Sequence, residues 1–114
     1  MAEYLQRGEA LDYTNATDTL IPAGTVVEIG NRIGVTGCPI PAGKTGSLHV
    51  VGVFSITKTG TSAIAMGQNV YFDGTGITDE ADDGEQTPTA YTPAGYAAAP
   101  AAASDNTILV KICG

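Results

Sequence analysis

Apolar and polar residues alternate over short stretches of this chain, and no stretch sustains a helical period. Residues 25–29 (Thr-Val-Val-Glu-Ile) read as a strand, and residues 32–36 as its hairpin partner across Gly30-Asn31. Residues 47–57 carry the strongest strand pattern. Leu48, Val50, Gly52, Phe54 and Ile56 fall on one face, and Ser47, His49, Val51, Val53, Ser55 and Thr57 on the other. The second face is apolar in its middle and polar at its ends, which predicts a central strand with a bend or bulge at Gly52. Residues 69–72 and 107–112 predict two more strands, with shorter extended pieces at 76–78 and 91–96. Residues 62–66 predict one helical turn, stopped by Gly67. The alanine tract at 97–103 is broken by Pro100, so it fits a bulged or edge strand leading into a turn at 104–106. Together these elements predict an all-β fold, a small barrel or sandwich of short strands with at most one short helical turn.

One turn is used twice. Ile21-Pro22-Ala23-Gly24 and Ile40-Pro41-Ala42-Gly43 are the same four residues, with Pro set for the first corner and Gly for a positive φ beyond it. Ahead of the first copy, residues 1–20 are polar and weakly patterned. They read as an N-terminal arm or edge segment with a short strand at 11–14, and residues 21–114 as a single β domain. Residues 1–13 are the segment expected to be mobile when free.

The second copy of the turn continues into Gly43-Lys44-Thr45, which raises a nucleotide-binding reading. A phosphate-cradling loop needs G-x-x-x-x-G-K-[ST], with free backbone N–H groups and a helix to follow. Position 38 is Cys38 rather than Gly, Pro39 and Pro41 remove two donors, and the following segment predicts a strand. The residues therefore favour a turn over a nucleotide site.

Charge narrows the partners. Lys, Arg, Asp and Glu make up only 15% of the chain, against roughly 25% in an average globular protein. The net charge is −7, and half of the 12 carboxylates lie at Asp73, Asp79, Glu80, Asp82, Asp83 and Glu85. Arg7, Arg32, Lys44, Lys58 and Lys111 are too few and too scattered to neutralise a phosphate backbone, so no nucleic-acid partner is expected. The acidic loop lacks the alternating register of an EF-hand and reads as a solvated loop. His49 is the sole histidine, and Cys38 and Cys113 stand apart without metal-ligand spacing. No serine sits on a nucleophile elbow. The chain is thus expected to be no enzyme, with no cofactor, metal or small-molecule substrate. Residues 1–7 include Glu3 and no apolar run, which predicts no signal peptide, synthesis in the cytoplasm and reduced thiols. No apolar stretch approaches the ~20 residues of a membrane span.

The order of these segments resembles a family of small proteins from phage and prophage head-gene clusters, the capsid decoration or cement proteins. The resemblance covers nearly the whole chain. It starts at Tyr4-Leu5-Gln6-Arg7-Gly8 and Leu11-Asp12-Tyr13. It continues through the Pro-Ala-Gly turn and its Val-rich strand, Ile33-Gly34-Val35, residues 40–46 and Val51-Gly52-Val53-Phe54. It closes with residues 67–73 and the Ala-rich approach to residues 108–112. Members are often labelled predicted RecA/RadA phage recombinases, a label the failed phosphate loop argues against. The resemblance implies a structural virion protein. It would bind the major capsid protein on the outer head, often as a homotrimer, and stabilise the shell against packaged DNA. Capsid contact is then expected at Tyr4, Leu5, Gln6, Arg7, Leu11 and Tyr13. The alternatives are a recombination-associated or nucleotide-binding protein, and a host-attachment or fibre module.

Overall fold

The computed structural model describes residues 9–84, 86 and 89–113, with Cys113 described in its backbone only. It is an all-β sandwich of two antiparallel sheets. The first sheet contains β1 (Ala10–Thr14), β2 (Val26–Ile29), β3 (Arg32–Thr36) and β4 (Thr45–His49), in the order β1-β4-β3-β2. The second contains β5 (Val51–Thr57), β6 (Asn69–Phe72), β7 (Ile77–Thr78), β8 (Thr92–Ala97) and β9 (Thr107–Cys113), in the order β5-β9-β8-β6-β7. The sheets do not close on one another, so of the two expected all-β forms the sandwich is the one adopted.

The hairpin between β2 and β3 pairs Ile29 with Arg32, leaving Gly30-Asn31 as a two-residue loop. Gly30 has φ 65° and Asn31 does not have a positive φ. Positive φ at the first position alone is the type II′ geometry, whose twist matches that of the flanking strands.

The two Ile-Pro-Ala-Gly turns meet each other. Ile21 and Ile40 form an antiparallel bridge with N–H···O distances of 3.0 and 2.8 Å. Gly24 and Gly43 take φ of 79° and 75°, as the sequence requires of them. At this junction Asn15 is fully buried. Its Nδ2 donates to the Thr19 and Ile40 carbonyls at 2.7 and 2.8 Å, and its Oδ1 accepts from the Thr17 N–H at 2.9 Å. Both ends of the amide are therefore used, which clamps the chain after β1 to the second turn.

The core lies between the sheets. Ile33 and Val35 from β3 pack against Ile56, Val70, Phe72, Ile108, Val110 and Ile112 from the second sheet. Each such aliphatic side chain contributes roughly 1.5–3 kcal/mol through burial. Loops seal one end: Ile64 bridges Ala101, and both are buried. Lys58 is also buried, with its Nζ donating to the Gly60 carbonyl at 2.6 Å and the Ala103 carbonyl at 3.3 Å.

Three expectations are corrected. Residues 62–66 form no helical turn. Ile64 is instead spent on the bridge to Ala101, which buries it more completely than an isolated turn would. The single strand expected at 47–57 is two strands in two sheets, with the crossing at Val50. Val50 donates its N–H to the Glu9 carbonyl at 2.9 Å, and its side chain is buried at the corner. The alternation of faces survives the crossing, because Leu48, Val50 and Ile56 are all buried. The outer half, β5, is an edge strand and not a central one, and Val51 and Val53 are exposed because they lie on the uncovered outer face of the sheet. Finally, the short strand expected at 11–14 is present as β1 at the sheet edge, and with it residues 10–13 of the segment expected to be mobile are held in register along β4 from Ala10↔His49 to Tyr13↔Gly46.

The β6–β7 turn rests on Asp73. Its Oδ1 accepts from the N–H groups of Thr75 and Gly76, each at 2.9 Å, and its Oδ2 from the Thr59 hydroxyl at 2.7 Å. Burial pushes the Asp73 carboxyl up, but hydrogen bonds from Gly76, Thr59 and Thr75 outweigh it, so its pKa lies below the ordinary 3.8. A depressed folded-state pKa gives stability that is present above the unfolded value and lost as pH falls through the folded one. The stability gap between the wild type and Asp73→Asn should therefore be constant above about pH 5 and shrink below 3.8. Urea titrations across that range test this, and a gap independent of pH would show that the carboxylate charge is not what holds the turn.

Candidate functional site

β1 is the outermost strand of the first sheet. Leu11 lies opposite Leu48 and Tyr13 opposite Gly46, so the two side chains share one face of the strand. Leu48 is buried, whereas Leu11 is 40% exposed and Tyr13 half-buried. The small residue at Gly46 is required here: a Cβ would stand 2.6 Å from Ile40 Cγ1. Asp12 points to the opposite face, beside Ser47. The Thr14 and Thr45 hydroxyls, 2.8 Å apart, tie the strand end to β4. Of the expected contact residues, the structure brings Leu11 and Tyr13 together; Tyr4, Leu5, Gln6 and Arg7 lie outside the described residues. What this arrangement offers is physical rather than catalytic: an edge of backbone donors and acceptors with an apolar and a phenolic side chain on one face, which suits addition of a partner strand.

Lys44 is exposed, its N–H closes a turn on the Pro41 carbonyl at 3.0 Å, and β4 starts at Thr45. Gly43-Lys44-Thr45 thus leads into a strand and offers no helix N-terminus to a phosphate. His49 packs against Phe54 with ring centroids 6.3 Å apart, and Gly37 leaves room for its ring. Among the described residues, no three His, Cys, Asp or Glu side chains stand together as a metal site would need. No helix among them is long and apolar enough to cross a membrane. Asn15-Ala16-Thr17 has the Asn-X-Thr order of a glycosylation acceptor, but the Asn15 amide is buried and fully hydrogen-bonded, which leaves none of it for modification.

A cleft of about 420 Å³ opens between the sheets, with Val26 and Val35 on one wall and Phe54, Ile56 and Phe72 on the other. None of its lining side chains is ionisable, so it holds no general acid or base. Around the acidic loop, Asp82 bridges Ala90 and accepts the Gly84 N–H at 2.9 Å. Burial pushes the Tyr91 phenol up, and the charges of Asp83, Asp73, Glu80 and Asp82 push it further. That shift marks a concentrated negative field at the β7 side of the molecule.

Sequence reasoning missed an exposed apolar strip on the outer face of the second sheet. Val51, Val53 and Leu109 are 39%, 54% and 43% exposed. The alternation of residues 47–57 contained the signal, but it gives the same pattern for a central strand and an edge strand.

Compared with known proteins, residues 5–112 match the family model described as phage cement protein. No curated protein and no solved structure matches.

Proposed function

The chain belongs to the phage cement protein family, structural proteins of the capsid, and from that premise we propose that it grips the major capsid protein through β1 and stands there as a homotrimer. The observation that carries the docking face is the position of β1 at a sheet edge with Leu11 and Tyr13 on one side. Residues 4–7 directly precede that edge in the sequence, and the proposed contact includes them. Such a contact gains main-chain hydrogen bonds and loses roughly 1–2 kcal/mol per newly ordered residue in backbone entropy. Three linked copies offset that loss through avidity. The acidic loop at 79–85 faces solvent in this reading, since burying like charges without cations is costly. Its occupants make no catalytic demand on the fold, and the protein acts by binding alone. Synthesis is in the host cytoplasm, and the site of action is the capsid surface.

Co-sedimentation with undecorated capsids tests the docking face. Deleting residues 2–8, which spares the Glu9 carbonyl that Val50 needs, should weaken capture at least tenfold, on the order of 1.4 kcal/mol or more. Leu11→Asp should do the same, with the far-UV spectrum unchanged. Neutralising Asp79, Glu80, Asp82 and Asp83 together should leave capture intact. Normal capture by both β1 variants together with loss in the loop variant would move the docking face to the other side of the molecule.

A further inference from the structure

We propose that the outer face of β5 and β9 is where copies of this chain meet, an inference that rests on the self-association read above and names its surface. Three observations converge there.

The first is the strip itself. Val53 lies opposite Lys111, Ser55 opposite Leu109 and Thr57 opposite Thr107, so these side chains share the outward face. Val53 and Leu109, 54% and 43% exposed, are its apolar centre, and Val51, 39% exposed, extends it along β5.

The second is the edge. β5 is the outermost strand of its sheet and is paired over seven residues with β9 alone. It carries no charge, proline or β-strand interruption of the kind that keeps a long edge from pairing. A strand so exposed on a monomer is a liability, and an assembly that covers it removes the liability.

The third is charge. The chain carries −7, and copies related by a symmetry axis bring each surface group near its own image. A carboxylate at the axis would therefore meet a carboxylate. The outward positions of β5 and β9 contain none, and their single cation, Lys111, has a stem long enough to carry its ammonium out of the contact. The acidic loop starts after Thr78, beside Gly60 and beyond the C-terminal end of β5, where Lys58 bridges Ile77 of β7, whereas Val53 lies five residues, about 16 Å of extended strand, back from Lys58. Contact through the β7 edge would bring the loops together.

Val53→Glu and Leu109→Glu, made separately in the full chain, place a carboxylate in the strip. Met66→Glu, at a more exposed apolar residue (69%) away from it, is the control. Light scattering across micromolar concentrations reads the mass, and circular dichroism confirms the fold of each variant. The wild type and Met66→Glu should be multimers, while Val53→Glu and Leu109→Glu should dissociate at concentrations at least ~100-fold higher, as expected for an uncompensated charge in a contact. A multimeric wild type with both strip variants equally multimeric would overturn the assignment of the face and leave self-association standing. A wild type that is monomeric both free and on capsids would overturn self-association and this inference with it, while capsid capture by β1 is read separately.

Discussion

Gly95→Ala should lose most of its stability, with a destabilisation of about 4 kcal/mol that places it among the severe single substitutions. Two independent faults coincide at this position. Gly95 has φ 131°, a conformation an L-side chain rarely adopts, which costs on the order of 1–3 kcal/mol. In addition, a Cβ there would run into the Lys111 carbonyl oxygen, a backbone atom fixed by the β8–β9 pairing. No rotamer relieves that collision, so β9 must shift. The reason for the glycine is a bulge: β8 pairs Gly95 with Val70 and then Pro93 with Tyr71, leaving Ala94 as the extra residue, buried in the core. Stability for a domain of this size is about 5–15 kcal/mol, so the variant should be marginal at 37 °C. Urea unfolding should show a lower midpoint at unchanged slope. Gly24→Ala, where φ is 79° but a Cβ meets nothing, should show only the conformational part of the loss, about 1 kcal/mol. Equal losses in the two variants would mean that the Lys111 collision is relieved by the backbone.

Asn15→Ala should cost about 3 kcal/mol, or roughly 12 °C in Tm. The substitution strips donors from the Thr19 and Ile40 carbonyls and an acceptor from the Thr17 N–H. Each orphaned group at a buried site costs about 1–3 kcal/mol, although water reaching the exposed Thr17 and Thr19 reduces the sum. The loss should concentrate where the two Ile-Pro-Ala-Gly turns bridge, and with them in β1. Hydrogen exchange should therefore accelerate at Ile21, Ile40 and Gly43, the last of which donates to the Asn15 carbonyl at 2.8 Å. Asn15→Asp should be at least as harmful at neutral pH, because a carboxylate oxygen would replace the amide donor in front of two carbonyls. A melting temperature within 2–3 °C of wild type for Asn15→Ala would mean that water satisfies the junction, and that the clamp on β1 is backbone pairing alone.

These two positions bear differently on function. Gly95 holds the second sheet, whose outer face is the proposed meeting surface of the copies. Asn15 holds the chain just after β1, the proposed grip on the capsid. A destabilised Asn15 variant should thus lose capsid capture in step with the register of β1 while its second sheet remains formed.

Local chemistry alone determined much of this protein. Period-two alternation selected strands, Gly30-Asn31 selected a two-residue hairpin, and the paired turns supplied their glycines with positive φ, because each depends on neighbours a few residues away. The order of such segments also carried the family resemblance. Tertiary structure decided the rest. Residues 47–57 alternate without a break, yet β4 and β5 belong to different sheets. Alternation records which side of the chain is buried and not which sheet buries it, and the choice at Val50 came from the Glu9 carbonyl, some forty positions upstream. Ile64 was drawn out of a local turn by Ala101, and the burial of Asn15 was set by the Ile40 carbonyl, 25 positions away. The exposed strip of Val51, Val53 and Leu109 was hidden for the same reason. Which face of a sheet is covered is settled by tertiary packing, and long-range pairing placed β5, one strand of that face, at an edge available to a partner.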